Sequence, residues 1–294
     1  MVIRTPATSA NLGPGFDTLG LAIDLNNEVR ITRSKFFSIS VKGEGANKIR
    51  VKTNNQFVTI FYNFYIKLVG KRDNFRFEFI NNIPFSRGLG SSSAVIVSAI
   101  ASAYHMAGVK LSKEAVLNKA LFYEPHPDNI APATYGGFVA SLIYKNRVIS
   151  QKKRLPDYLK AVIVIPNKSM STNHSRTKLP KMISLENAVF NISYSTVLAS
   201  AFFNEDWKVL RYASNDRLHQ EQRMKNLREL FEVRKTAIEN GALMSTLSGS
   251  GSSFFNLAYS DDAVKLKEVL VKKFPKFKTE VYNFNNIGYN IIKE

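Results

Sequence analysis

Pro84-Phe85-Ser86-Arg87-Gly88-Leu89-Gly90-Ser91-Ser92-Ser93-Ala94 sets two glycines and three serines at the head of an apolar run. Glycine lets backbone approach a ligand with no Cβ in the way, and the first N–H groups of a helix have no partner within it. Those amides, with the partial positive charge of a helix start, suit phosphate. The serine hydroxyls can add hydrogen bonds to phosphate or help orient Mg2+. The segment therefore predicts a nucleotide site. It is not a Walker A loop: GxxxxGK[ST] occurs nowhere, and Ser93 stands where the third glycine of GxGxxG would be. A second Gly/Ser loop, Thr246 to Ser253, carries Gly249 and Gly251 ahead of the strand-like Phe254-Phe255-Asn256-Leu257. Each loop alone also reads as a plain turn. Two in one chain favour a shared anion.

Pro84 to Ala94 resembles the PxxxGLGSSAA-type motif of the GHMP kinases (galactokinase, homoserine, mevalonate and phosphomevalonate kinases), with Ser93 in place of an alanine. Thr246 to Ser253 resembles the third motif of that superfamily. Thr5-Pro-Ala-Thr-Ser-Ala-Asn11-Leu-Gly-Pro-Gly-Phe-Asp17-Thr-Leu-Gly-Leu21 is similar to its first motif, and His126-Pro-Asp-Asn129-Ile-Ala-Pro-Ala-Thr-Tyr-Gly-Gly137 to the HPDNxAPAxxGG signature of the homoserine kinase branch. The matches are collinear from residue 5 to about 255. Three departures are local: Pro125 replaces a glycine before the HPDN run, no proline follows Gly251, and Gln222 interrupts an EPYR-like stretch before Arg223.

The resemblance implies an α+β chain in two domains, a ribosomal-protein-like ATP-binding domain over 1–155 and a ferredoxin-like domain over 156–294. It implies transfer of the ATP γ-phosphate to the side-chain hydroxyl of L-homoserine, a step of threonine biosynthesis, with Mg2+. On this reading Pro84, Arg87, Gly88, Leu89, Gly90, Ser91, Ser92, Ser93, Ala94, Gly249 and Gly251 hold ATP, Ser92 and Glu124 hold Mg2+, and the Asn55-Gln56 region lies near adenine. Asn11, Asp17, His126, Asn129, Arg176 and Arg223 line the substrate pocket, with Asp17, Thr172 and Arg176 as the catalytic set. An arginine fork suits a carboxylate bidentately. A lone Asp of ordinary pKa is a poor base for an alcohol, so Asp17 is given a positioning role. Outside the resemblance, Asp128 reads as a turn former. Partners are small molecules, without nucleic acid or membrane, and a homodimer is compatible with the family.

Several elements must position these residues. Phe57, Ile60, Phe61, Phe64 and Leu68 fall on one helical face over 57–68. The serines should start a long helix that Gly108 stops. Further helices are expected over 112–122, 185–203, 227–240 and 263–273, and strands over 27–33, 36–42, 75–79, 138–143, 161–165, 254–258 and 279–284. Residues 124–129 and Gly136-Gly137 read as loop and turn. The mixture is α+β.

Hydrophobic residues make up 45% and charged residues 22%, which excludes disorder. Without cysteine there is no disulfide framework or thiol nucleophile, and four scattered histidines make a poor zinc site. The N-terminus has no unbroken apolar stretch of a signal peptide, which predicts a cytoplasmic protein. A net charge of +18 invites an anionic partner, but the basic residues are scattered without interleaved aromatics. Two alternatives stand at this point: another GHMP kinase of mevalonate-pathway or shikimate type, and a basic nucleic-acid-binding protein.

Overall fold

In a computed structural model of the chain, residues 1–170, 172–177 and 179–292 are described, without the side chains of residues 50 and 172–174. The first part runs β1 (Val2–Ala10), β2 (Leu19–Arg33), β3 (Ser38–Gly43), α1 (Ile49–Thr53), α2 (Gln56–Val69), β4 (Phe75–Asn81), α3 (Ser91–Met106), α4 (Lys113–Ala120), α5 (Pro127–Tyr135), β5 (Phe138–Tyr144) and β6 (Arg147–Lys153). Then follow β7 (Leu159–Ile165), α6 (Thr172–Thr177), α7 (Leu185–Asn204), α8 (Leu210–Ala213), α9 (Gln220–Met224), α10 (Glu229–Glu239), β8 (Met244–Leu247), β9 (Phe254–Tyr259), α11 (Ser260–Lys273), β10 (Lys278–Tyr282) and β11 (Asn290–Ile292).

Two sheets organise these elements. The larger has the order β11-β1-β2-β4-β3, with β5 and β6 branching from β2. The long β2 makes that branch: Leu19–Leu21 pair with β5, while Glu28–Arg33 pair with β4. All its pairs are antiparallel except β3 with β4. The smaller sheet, β10-β7-β9-β8, is antiparallel throughout. The chain ends by returning β11 to the edge of the first sheet beside β1.

Three apolar clusters hold the layers. Phe57, Phe61 and Tyr65 of α2 interlock with Phe75 and Phe77 of β4 at centroid distances of 5.1 to 6.1 Å. The α2 face is rotated from the expected one: Tyr65 is buried, while Phe64 and Leu68 are only half so. Asp73 draws Tyr65 inward by accepting its hydroxyl at 2.6 Å. A second cluster joins the sheets through Leu21 and Ile23 of β2, Ile163 of β7, Phe255 of β9 and Phe202 of α7. A third lies between the small sheet and α10 and α11. Burying one phenyl ring contributes roughly 1.5–3 kcal/mol. That exceeds the ~1–2 kcal/mol cost of one left-handed non-glycine residue, and Asn11, Leu12, Asp17 and Ser86 all have positive φ. Strained backbone thus gathers where the predicted site residues are.

One expectation needed correction: residues 127–129, within the 124–129 stretch read as a loop, open helix α5, which runs to Tyr135 despite Pro132. Pro127 occupies the first turn, where no N–H is needed, and Pro132 simply leaves the Asp128 carbonyl without its helical donor. Gly20 packs so tightly against that carbonyl that a Cβ there would lie 1.9 Å from it. The first motif is also partly strand: Val2–Ala10 pairs along β2 although Thr5, Thr8 and Ser9 are buried polar residues. No helix among the described residues is long and apolar enough to cross a membrane.

Candidate active site

Helix α3 begins at Gly90, whose φ of 67° is left-handed and which supplies no side-chain cap. Gly90 and the three serines after it line a cleft of about 330 Å3. The glycines are required by their neighbours: a Cβ on Gly88 would meet the Ser248 carbonyl at 2.1 Å, and one on Gly90 would meet Thr8 Oγ1 at 1.9 Å. The second glycine loop clamps the first. Ser248 Oγ donates to the Gly88 carbonyl at 2.7 Å, Ser253 N–H to the Arg87 carbonyl at 2.9 Å, and Gly249 N–H to the Ala10 carbonyl at 3.1 Å. Motifs remote in sequence therefore close one loop around the helix start.

The opposite wall carries charge. Arg176 forks onto Asp17 with bonds of 3.0 and 2.7 Å. Asp17 N–H donates to Asn11 Oδ1 at 3.0 Å, and Asn11 Nδ2 donates to the Gly249 carbonyl at 3.1 Å, which ties this wall to the glycine loops. His126 places Nδ1 3.1 Å from Glu124 Oε1 and Nε2 3.8 Å from Asp17 Oδ2. The Glu124 carboxylate raises the His126 pKa, burial opposes it, and Asp17 adds to the rise. Asn129 Oδ1 accepts from Thr8 Oγ1 at 2.7 Å.

Two buried ions of opposite sign complete this end. Arg223 is only 2% exposed, and burial, then the charge of Arg176, pull its pKa down to about 10. Asp128, at the start of α5, lines the cleft, and its carboxylate makes no hydrogen bond among the described residues. Burial, then the nearby Asp17 carboxylate, push its pKa up to about 7. A side chain read as a turn former is thus a buried acid facing the cleft, its proton held more tightly than in water. No local signal reveals this, because Asp17 and Arg176 reach it from distant parts of the chain.

Of the residues expected at ATP, Pro84, Arg87 to Ser93 and Gly249 line the cleft. Leu89 does so while its side chain joins the core, and Ala94 is buried in the core without reaching the cleft. Gly251 lies behind the wall, packed on Leu247 and Met170. The Arg87 guanidinium is engaged by the carbonyls of Pro166 at 3.0 Å and Phe85 at 3.3 Å. Ser86, Met170 and Ser250 line the cleft without having been singled out. The Thr172 side chain lies outside the described residues. Glu124 and Ser92 both face the cleft, and no group of three or more His, Cys, Asp or Glu residues forms a metal cage among the described residues.

A second cleft of about 450 Å3 adjoins the first and shares Ser86, Ser91 and Ser92 with it. Asn54, Asn55, Gln56, Phe57, Phe79 and Val95 give it a largely apolar wall with amide edges. Asn55 is committed to capping α2, accepting from Val58 N–H at 3.2 Å. One elongated ligand can pass from this cleft over the start of α3 into the charged one.

The model of the GHMP kinases N terminal domain matches residues 56–137, and that of the GHMP kinases C terminal domain matches 198–276. The chain is 60% identical to the homoserine kinase of a Nitratiruptor species over 294 residues, all of both chains. It is 58% identical to that of Campylobacter jejuni over 291 residues, 99% of this chain and 100% of the relative. The crystal structure of homoserine kinase from Cytophaga hutchinsonii superposes with a TM-score of 0.88 at 28% identity, covering 99% of this chain and 97% of that one. With two domain models in the expected order and full-length identity of this size, the chain belongs to the homoserine kinases of the GHMP kinase superfamily.

Proposed function

We propose that the chain transfers the γ-phosphate of ATP to the side-chain hydroxyl of L-homoserine, giving O-phospho-L-homoserine and ADP. The observation that carries this reading is the junction of two unlike surfaces in one cleft: an uncapped helix start for the triphosphate, and a wall of paired and unpaired charges for a zwitterion. The base takes the amide-edged apolar cleft, the phosphates run over Gly88 to Ser93, and the terminal phosphorus faces the charged wall. Helix-start amides stabilise charge on the phosphate oxygens with no reorganisation during transfer.

The acceptor is held at three points. Arg223 receives the carboxylate and Asp128, in its ionised form, receives the ammonium; a buried ion lacking an ionic partner gains most from one that arrives with the ligand. Asp17, with both oxygens engaged by Arg176, retains lone pairs to accept from the homoserine hydroxyl and aim it along the line of transfer. The hydroxyl oxygen bonds to the γ-phosphorus as the β–γ bridging oxygen leaves with ADP, and the hydroxyl proton passes to an oxygen of the transferred phosphoryl group and from there to solvent. The Ser92 hydroxyl and the Glu124 carboxylate, both oxygen donors facing the cleft, would hold Mg2+, which when bound would supply positive charge against the phosphates.

ADP release with homoserine, threonine, serine, mevalonate and shikimate tests the assignment. Homoserine should support the largest kcat/KM, and a chelator should abolish turnover. Preference for mevalonate or shikimate, or ADP release indifferent to every acceptor, would overturn it.

A further inference from the structure

Arg223 is a buried cation that makes no ion pair among the described residues, and its Nε has no hydrogen-bond partner there. Three weaker groups surround it. Its Nη1 donates to the Gly249 carbonyl at 3.1 Å and faces His219 Nδ1 at 3.2 Å, and its Cζ lies 5.4 Å from the centre of the Phe16 ring. The same ring lies 5.2 Å from Cζ of Arg176 and 5.1 Å from the His219 ring. Phe16 thus stands within cation–π reach of both site arginines.

The tautomer of His219 follows from its partners. Nε2 is 2.8 Å from the Gly13 carbonyl, which can only accept, so Nε2 carries the proton. Nδ1 faces a guanidinium, which can only donate, so Nδ1 is the bare acceptor. The imidazole is therefore neutral, and its burial favours that form. Asp216 fixes the ring's backbone by accepting from the N–H groups of His219 at 2.9 Å and Gln220 at 2.7 Å. Among the described residues no carboxylate contacts Arg223, and Asp17, Asp128 and Asp216 act on it only from a distance. A fixed carboxylate there would have to be displaced by the ligand's, as at Arg176, which Asp17 already neutralises.

We infer that Phe16 and neutral His219 are positioning residues that hold Arg223 without a carboxylate in contact with it, and thereby set the enzyme's selectivity for an acceptor bearing a carboxylate. The inference rests on the proposed homoserine reaction and adds the device by which its carboxylate is chosen. The first motif then has a second part in the site: its Phe16 and Gly13 carbonyl support an arginine more than 200 residues away, as the 206-residue separation of Gly13 and His219 illustrates.

The test compares L-homoserine with its carboxylate-free analogue, in which CH2OH replaces COO⁻, in wild type and in Phe16→Leu, His219→Gln and His219→Asn. Phe16 is partly exposed, so leucine keeps the apolar contact and removes only the ring. Glutamine at 219 preserves a donor toward Gly13 but loses the acceptor at Nδ1, whereas asparagine keeps an acceptor near Nδ1. Phe16→Leu and His219→Gln should each lower the ratio of kcat/KM for homoserine over the analogue roughly tenfold, the scale of a desolvated cation–π contact or a charged hydrogen bond. The loss should appear in the homoserine KM, with kcat and the ATP KM within about twofold, and His219→Asn should recover most of it. An equal fall for both acceptors, or a fall in kcat alone, would reduce the two residues to scaffold and overturn the inference. Failure of the wild type to phosphorylate homoserine would instead remove the underlying reaction, a distinct result.

Discussion

On the proposed assignment, the two halves of the cleft would hold their ligands by opposite means. The half proposed for the nucleotide offers backbone: glycines in left-handed conformations and the uncapped start of α3. The half proposed for the acceptor offers titratable and charged side chains, with Asp17 and Arg176 paired while, among the described residues, Asp128 and Arg223 stand without an ionic partner. Backbone amides present a fixed dipole to any phosphate and discriminate little between bases or acceptors. Unpartnered buried charges cost stability in the empty protein and discriminate strongly, because only a ligand of matching charges relieves them. On the proposed reading a general phosphate grip stands beside a selective amino-acid grip, and the two should respond separately to mutation.

The largest separation should come from Gly90→Val. A side chain there collides with Thr8 and must adopt a positive φ, displacing the helix start. We expect kcat/KM for ATP to fall on the order of 100-fold or more, the scale of a misplacement near 1 Å, with homoserine binding measured calorimetrically falling much less, through the shift of Thr8 and Asn129. Arg223→Ala should do the reverse. Homoserine KM rises roughly 30- to 100-fold, as for loss of charge-assisted hydrogen bonds, while the ATP KM stays within about threefold. Equal loss of both affinities in either variant would dissolve the distinction.

Asp128→Asn sharpens it further through pH. With a folded pKa near 7 and an ordinary value near 4, the folded protein binds the extra proton between those values. Stability associated with Asp128 is therefore greatest at low pH and lost as pH rises through about 7. The Asn variant should be more stable than wild type at pH 8, by on the order of 2 kcal/mol, and the difference should shrink toward pH 5. It should also bind homoserine roughly tenfold more weakly, as loss of one charged hydrogen bond implies, and lose the wild type's rise in kcat/KM across neutral pH. Denaturant melts and initial rates at several pH values read both. The smallest effect is expected at Asp17→Asn: a several-fold lower kcat with ATP affinity unchanged, since the amide retains an acceptor oxygen. Unchanged turnover there would remove Asp17 from the reaction.

Legibility followed the range of the interactions. Helix α3 and its glycine loop were readable because their signal is local: glycines, serines, then a buried apolar run. Helix α5 was not, because 124–129 read as a loop with Asp128 as a turn former, although Pro127 sits where no N–H is needed and Pro132 releases a carbonyl onto which Gly20 packs. Strand β1 was hidden by its buried Thr5, Thr8 and Ser9, of which Thr8 holds Asn129 of the cleft. At the site, Asn11, Asp17, His126, Asn129, Arg176 and Arg223 could be named from the resemblance, and the fold brings them onto one cleft. Asp128 could not be weighted correctly, since its environment is made by groups at 17, 124 and 176. The roles of Phe16 and His219 depend on a neutral tautomer that exists only once Gly13 and Arg223 meet.

The most direct measurement is a crystal structure with a non-hydrolysable ATP analogue and L-homoserine bound together. The account predicts phosphate oxygens on the N–H groups of Ser91 to Ser93, the homoserine carboxylate on Arg223, its ammonium on Asp128, and its hydroxyl in line with the terminal phosphorus. A triphosphate seated away from that helix start, or an acceptor turned with its ammonium toward Arg223, would contradict it.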